Sequence, residues 1–179
     1  MITESNSIDG VRTLEPSVFK DSRGELTVFY RKSDTPYLEN LQINIVRSKA
    51  KTFRGMHIHS CHSDYLYVVD GELHLGMVDF RKGSKTFGVA QKVLLTGEKP
   101  ECWIIPEGVA HGFYCPVNTV YCYGLSKEWD VQEDFAFHWH HVRQELSWDM
   151  VDPVMSERDM HAGSIHEVVG KYESKVTVL

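Results

Sequence analysis

The sequence predicts an all-β protein built as a double-sheet sandwich or barrel, and three observations carry that prediction. Short runs rich in β-branched and aromatic residues dominate the chain, several of them alternating with period two. Turn formers separate these runs at close intervals: "DSRG", "SDTP", "VDGE", "RKGSKTFG", "TGEKP", "PEGVAHG" and "CPVN". Helix signals are weak and lie late in the chain. Close strand spacing with frequent turns is the pattern of sandwiches and small barrels.

The strand segments, in order, are "LTVFYR", "NLQINIVRS", "YLYVVDG", "ELHLGMVDF", "AQKVLLT", "CWIIPEG", "GFYCPV" and "TVYCYGLS". "DVQEDF" reads as a turn, and "SERDM" and "AGSIHEVVG" as short helices near the end. "RKGSKTFG" reads as a hairpin loop. No internal repeat or low-complexity linker divides the chain, so residues 1–179 are expected to form one domain. The arm over about 1–40 could exchange with a partner and cover an edge strand; the tail over 160–179 has no functional reading.

Composition excludes several classes. Hydrophobic residues are 42% and charged residues 25% of 179, with a formal net charge of −6, as in ordinary globular domains. No block of like charge suggests nucleic-acid binding or a polybasic membrane contact. The polar start "MITESNSIDG" lacks a signal-peptide pattern, and no apolar run has membrane-spanning length. The four cysteines, Cys61, Cys102, Cys115 and Cys122, form no CxxC pair, and three lie in strand segments as small hydrophobes. These features predict a reducing, cytoplasmic setting with no disulfide framework.

The chemistry concentrates in "RGMHIHSCHSDYLYVVDGE", Arg54 to Glu72. His57 and His59 sit two apart, so on one strand both side chains take the same face. With Asp64 and Gly71 they fit a pattern shared by metal-binding cupins: His-x-His, four residues, an acid, six residues, glycine. The second cupin pattern falls at Pro106, Gly108 and His111. His57, His59, Asp64 and His111 thus form one candidate ligand set for a divalent transition metal. His62 is out of register with the pattern and reads as loop. The cluster at His138 to His141 reads as surface, and Trp103, Trp139 and Trp148 as packing residues.

Flanking motifs narrow the match. "FKDSRGEL", "QINIVRS", "FRGMHIH", "MVDFRKGSKTFG", "IIPEGVAHGF", "VYCYGLS" and "DPVMSERD" occur together and in order. From about Phe19 to Asp159 the chain resembles the dTDP-4-dehydrorhamnose 3,5-epimerase-like family of nucleotide-4-keto-deoxysugar epimerases. That resemblance implies a cupin-type jelly roll with a few short C-terminal helices, a homodimer, and a nucleoside-diphosphate sugar as substrate. It implies no metal or organic cofactor. By position, His57 takes the role of base, Asp159 its orienting acid, and Tyr123 the general acid, with Tyr121 as the alternative. Arg54 and His111 match residues beside the base, and Arg23 matches an arginine that reaches the nucleotide phosphates, often from the neighbouring subunit. Phe19, Gln42 and Asn44 match ligand-lining positions. The chemistry is coherent: a histidine base suits proton abstraction near neutrality, and an arginine fork suits phosphate or oxyanion.

Two positions depart from the family. Asp64 stands where the family carries a lysine that steadies the developing enolate, and His59 where it often carries glutamine. A carboxylate about 4 Å from an enolate costs about 4 kcal/mol at an effective dielectric near 20. Three arrangements avoid that cost. Asp64 could be protonated and donate a hydrogen bond, Asp64 and His59 could turn aside and leave Arg54 to act, or a metal could replace the lysine. A metal held by His57 would remove the free base. The alternative activities are therefore a metal-dependent cupin enzyme (sugar isomerase, dehydratase or oxygenase) and a catalytically silent sugar-binding relative.

Overall fold

The computed structural model describes residues 2–4, 7–35, 38–39 and 42–176. In chain order its strands are β1 (Ile2–Glu4), β2 (Arg12–Leu14), β3 (Ser17–Asp21), β4 (Gly24–Val28), β5 (Gln42–Ser48), β6 (Thr52–His59) and β7 (Asp64–Asp70). They continue with β8 (Glu72–Asp79), β9 (Ala90–Thr96), β10 (Cys102–Ile105), β11 (Val109–Cys115), β12 (Thr119–Leu125) and β13 (Asp134–Ala136). Two helices close the chain, α1 (Glu157–Met160) and α2 (Ile165–Val176). The eight segments read as strands all become strands; β6, β13 and the short β1–β3 add to them. The "DVQEDF" turn is a 3-10 turn at Val131–Glu133, and α2 runs further than its sequence signal.

Two antiparallel sheets face each other. One has the order β1-β2-β10-β7-β12-β5, the other β13-β6-β11-β8-β9. Such neighbours, distant in sequence, are those of a jelly roll. Leu66, Val68, Leu75, Met77, Ile105 and Tyr121 fill one end of the space between the sheets. A second core lies where the C-terminal segment packs, joining Phe53, Met56 and Ile58 of β6 to Phe137, Trp139, Trp148, Val168 and Tyr172. Phe29 and Tyr30 pack with Tyr65, Tyr67, Leu14 and Ile104 in a third. The three tryptophans read as packing residues, Trp103, Trp139 and Trp148, are all buried. Cys102, Cys115 and Cys122 are buried too, and all four cysteines are free.

Strands β1 and β2 pair within their own chain beside β10. The β3–β4 hairpin is a separate two-stranded sheet that exposes Phe19 and Leu26. Among the described residues, no helix is long and apolar enough to cross a membrane.

The loop after β8 is pinned by one acid. Asp79, fully buried, accepts from Arg81 Nε and Nη2 at 2.9 and 2.8 Å, from Ser84 Oγ at 2.6 Å and from Thr86 Oγ1 at 2.8 Å. Burial alone would raise its pKa, but the bonds from Arg81, Ser84 and Thr86 outweigh burial and hold it at about 2. A carboxylate depressed in the folded state stabilises it above the unfolded pKa of about 3.9, and that contribution is lost as pH falls towards about 2. The gap in urea-unfolding stability between wild type and Asp79→Asn should therefore narrow by about 2–3 kcal/mol between about pH 6 and about pH 2.

Candidate active site

The geometry begins with an irregularity in β6. Against β11, His57 faces His111 and Arg54 faces Phe113, so three steps on β6 span two on β11. That bulge changes the alternation. Residues three apart, which would otherwise take opposite faces, both reach the same cavity. Gly55 sits at the shift with φ of 123°, and an added Cβ would come within 2.6 Å of Gly112 Cα. Only glycine suits both the left-handed backbone and that close approach.

The cavity encloses about 250 Å³ and opens between the sheets. Arg54 and His57 line it from β6, His111 and Phe113 from β11, Val46 from β5, and Tyr121 and Tyr123 from β12. Ser156, Arg158 and Asp159 close it from the C-terminal segment. Backbone bonds place that segment: Phe53 N donates to Val154 O at 2.9 Å, and Val154 N to Lys51 O at 2.8 Å. Ser156 then caps α1, its Oγ accepting from Asp159 N at 3.1 Å.

The central contact is His57 Nε2 to Asp159 Oδ1 at 2.8 Å. Asp159 Oδ2 also accepts from Gly55 N at 3.4 Å. Burial pushes the Asp159 carboxyl up, but His57 above all, with Gly55 and Ser156, brings its pKa below the ordinary value. It is therefore an anion near neutrality and accepts a hydrogen bond from Nε2–H of His57. That leaves the lone pair on Nδ1, the arrangement a general base needs.

The remaining wall is cationic and aromatic. Arg54 Nε donates to Ser48 Oγ at 3.3 Å, which steadies its guanidinium. Arg158 Nη1 holds Asp134 Oδ2 at 2.7 Å. Tyr121 and Tyr123 lie with ring centroids 6.4 Å apart. Burial raises the Tyr123 pKa first, with Asp64 adding to it, so its hydroxyl keeps its proton at neutral pH. Tyr123 stands opposite Asn44 in the β12–β5 register.

The other residues singled out from sequence fall elsewhere. Phe19 and Arg23 line a shallow groove on the β3–β4 hairpin, away from the cavity. Arg23 is bound there by Asp21, with Nη2 to Oδ2 at 2.6 Å. Gln42 donates to Asn44 Oδ1 at 3.0 Å and accepts from Trp129 N at 2.9 Å. His59 and Asp64 do not line the cavity; both are buried beside His111, whose Nε2 is 3.6 Å from Asp64 Oδ2. His62, read as plain loop, is in a loop but fully enclosed. The four-residue ligand set with His57 does not assemble: His57 turns to Asp159, while His59, His62 and Asp64 converge. Asp134 and Arg158 carried no spacing signal, although Arg158 directly precedes Asp159.

A larger cleft of about 780 Å³ lies under α2, lined in part by Arg81, Lys82, Tyr172 and Glu173. Lys82 and Glu173 pair across it at 2.7 Å, and no histidine is among its described lining residues.

A jelly-roll barrel whose cavity holds a histidine–aspartate pair and tyrosines is a protein equipped for proton transfer. A family model described as dTDP-4-dehydrorhamnose 3,5-epimerase matches residues 5–167. The dTDP-4-dehydrorhamnose 3,5-epimerase of Mycobacterium tuberculosis (strain H37Rv) is 29% identical over 173 residues, covering 90% of this chain and 86% of that protein. The crystal structure of dTDP-6-deoxy-D-glucose-3,5-epimerase from Legionella pneumophila Philadelphia 1, in complex with dTDP-4-keto-L-rhamnose, superposes with a TM-score of 0.86 at 26% identity, covering 96% of each chain. The Bacillus anthracis dTDP-4-dehydrorhamnose 3,5-epimerase with TDP and PPi bound gives 0.83 at 26% identity, covering 92% of this chain and 100% of that one. The chain belongs to the dTDP-4-dehydrorhamnose 3,5-epimerase family, and its class is that of the isomerases.

Replacing Asp159 with Asn keeps an acceptor for Nε2 but removes the charge that supports imidazolium. Proton abstraction by Asp159→Asn should fall by about 10²-fold or more, with the thermal transition nearly unchanged. Solvent-exchange rates beside melting curves would check it; wild-type rates in the variant would refute the pairing's role.

Proposed function

We propose that the chain epimerises a nucleoside-diphosphate 4-keto-6-deoxysugar at C3, C5 or both. The observation that carries this reading is the His57–Asp159 pair sharing one cavity with Tyr121 and Tyr123. His57 Nδ1 takes the proton from the carbon next to the ketone. The C–H electrons move into the new C–C double bond, and the carbonyl oxygen gains negative charge. Arg54 offers its guanidinium to that oxygen or to the diphosphate. Tyr123 donates its proton to the opposite face, which inverts the centre, and regains one from solvent. His57 then releases its proton.

In this reading dTDP is the nucleotide, as in the names of the relatives. Phe19 and Arg23 act from a second copy: the exposed β3–β4 hairpin would carry them into its partner's cavity, in a homodimer. The four free thiols support a reducing compartment, the cytoplasm.

Incubation with dTDP-4-keto-6-deoxyglucose in D₂O, followed by NMR of C3–H and C5–H, tests the assignment. Wild type should exchange one or both positions. His57→Asn should lower exchange by about 10²–10⁴-fold. Tyr123→Phe should lose inversion more than exchange, because abstraction by His57 survives while delivery to the far face does not. Exchange unaffected by His57→Asn would remove His57 as the base. A monomer in light scattering would remove the partner's role.

A further inference from the structure

Next to the cavity lies a second cluster that the proton-transfer reading does not use. His59, His62 and Asp64 each offer one ligand atom, the three atoms within 4.8 Å of one another and all three residues buried. Asp64 Oδ2 is 3.7 Å from His59 Nε2, 4.0 Å from His62 Nε2 and 3.6 Å from His111 Nε2. These separations are too long for hydrogen bonds, which fall at about 2.7–3.2 Å. They lie close to the ligand–ligand edge of a tetrahedral zinc site with bonds of about 2.0–2.2 Å, an edge of about 3.3–3.6 Å.

One outer contact fixes which nitrogen of His111 faces inward. His111 Nδ1 lies 3.1 Å from the Val109 carbonyl, which can only accept, so Nδ1 carries the proton and Nε2 the lone pair. His59 Nδ1 faces Asp134 Oδ1 at 3.5 Å, and Asp134 is itself held by Arg158 and by Trp129 Nε1 at 2.9 Å. The His59–Asp134 separation is beyond hydrogen-bond length; drawn in, a carboxylate behind one ring nitrogen is the usual support of a metal-binding histidine. His59 Nδ1, both ring nitrogens of His62, Asp64 Oδ2 and Asp134 Oδ1 are buried without a hydrogen-bond partner. A proton on Asp64 would satisfy one inward lone pair and leave the others bare. A metal ion would satisfy them together.

We propose that His59, His62 and Asp64, closed by His111, form a buried site for one divalent transition-metal ion of the zinc type. His57 is outside it, so the base and the metal do not compete. All four ligands are enclosed, as in closed structural sites. A metal there returns positive charge to the place that the resemblance gives to a lysine; this consequence rests on the epimerase reading, but the site itself does not.

The test needs no substrate, which separates its failure from that of the epimerase assignment. The full chain, stripped with chelator and dialysed, is titrated with Co²⁺ and read by visible absorption. The expected result is about one equivalent bound, with the intense d–d bands of tetrahedral cobalt, displaced by Zn²⁺. His62→Gln should weaken binding at least about tenfold and Asp134→Asn about 10–100-fold, while His57→Asn leaves spectrum and affinity unchanged. Unbound cobalt in the wild type, or only the weak spectrum of octahedral cobalt, would overturn the site. Equal loss of binding in His57→Asn would overturn the ligand set.

Discussion

The hydrogen bond between His57 and Asp159 joins a central strand to a segment 102 residues further along the chain. It is available only because several other features hold. The bulge in β6 and the glycine at its centre turn His57 into the cavity with Arg54. The core around Trp139 and Trp148 holds the C-terminal segment against the outside of the β6 sheet. The Ser156 cap then sets the first turn of α1 so that Asp159 points back at the strand. Each is a packing or backbone requirement met for ordinary reasons of stability. Their joint result is one imidazole held against a carboxylate in a polar cavity.

Neighbouring histidines receive opposite treatment. His57 is partly open to solvent and has an anion on one nitrogen. Burial drives the pKa of His59 well down and that of His111 to about 4, with nearby imidazoles adding to the effect, so both are neutral at pH 7. Burial raises Asp64, and Asp134 reinforces the rise. The Coulomb penalty that an ionised Asp64 would impose on an enolate is thereby reduced, because the isolated carboxyl is held towards its neutral form. A proton-transfer pair and a set of neutral imidazoles, the form that metals bind, thus stand side by side.

Much of this was legible in the sequence, and the reasons differ by residue. Strand segments such as "YLYVVDG" and "TVYCYGLS" announce themselves because alternation and β-branching are local properties. His57, Asp159 and the two tyrosines emerged from motif order, since spacing alone cannot bring positions so distant together. The edge-strand partner of β6 was harder: β13 has three residues and owes its existence to the strand it pairs with. His62 looked like loop because a two-residue period has no place for it. Its burial comes from the path of the chain between β6 and β7, which sequence periodicity does not report. Asp134 had no signal either, because its importance lies in contacts with Arg158, Trp129 and His59. Phe19 and Arg23 match ligand positions in the family pattern but sit on a hairpin remote from the cavity of their own chain.

The account depends on one protonation state, and ¹⁵N NMR of the imidazole measures it. In uniformly labelled protein near neutral pH, with the signals assigned by comparison with His57→Asn, the neutral His57 ring should carry its proton on Nε2, with Nδ1 showing the shift of a bare nitrogen. Asp159→Asn should weaken that preference. A proton on Nδ1, or a mixture of tautomers that Asp159→Asn leaves unchanged, would contradict the pairing from which the base, the cavity and the reaction are derived.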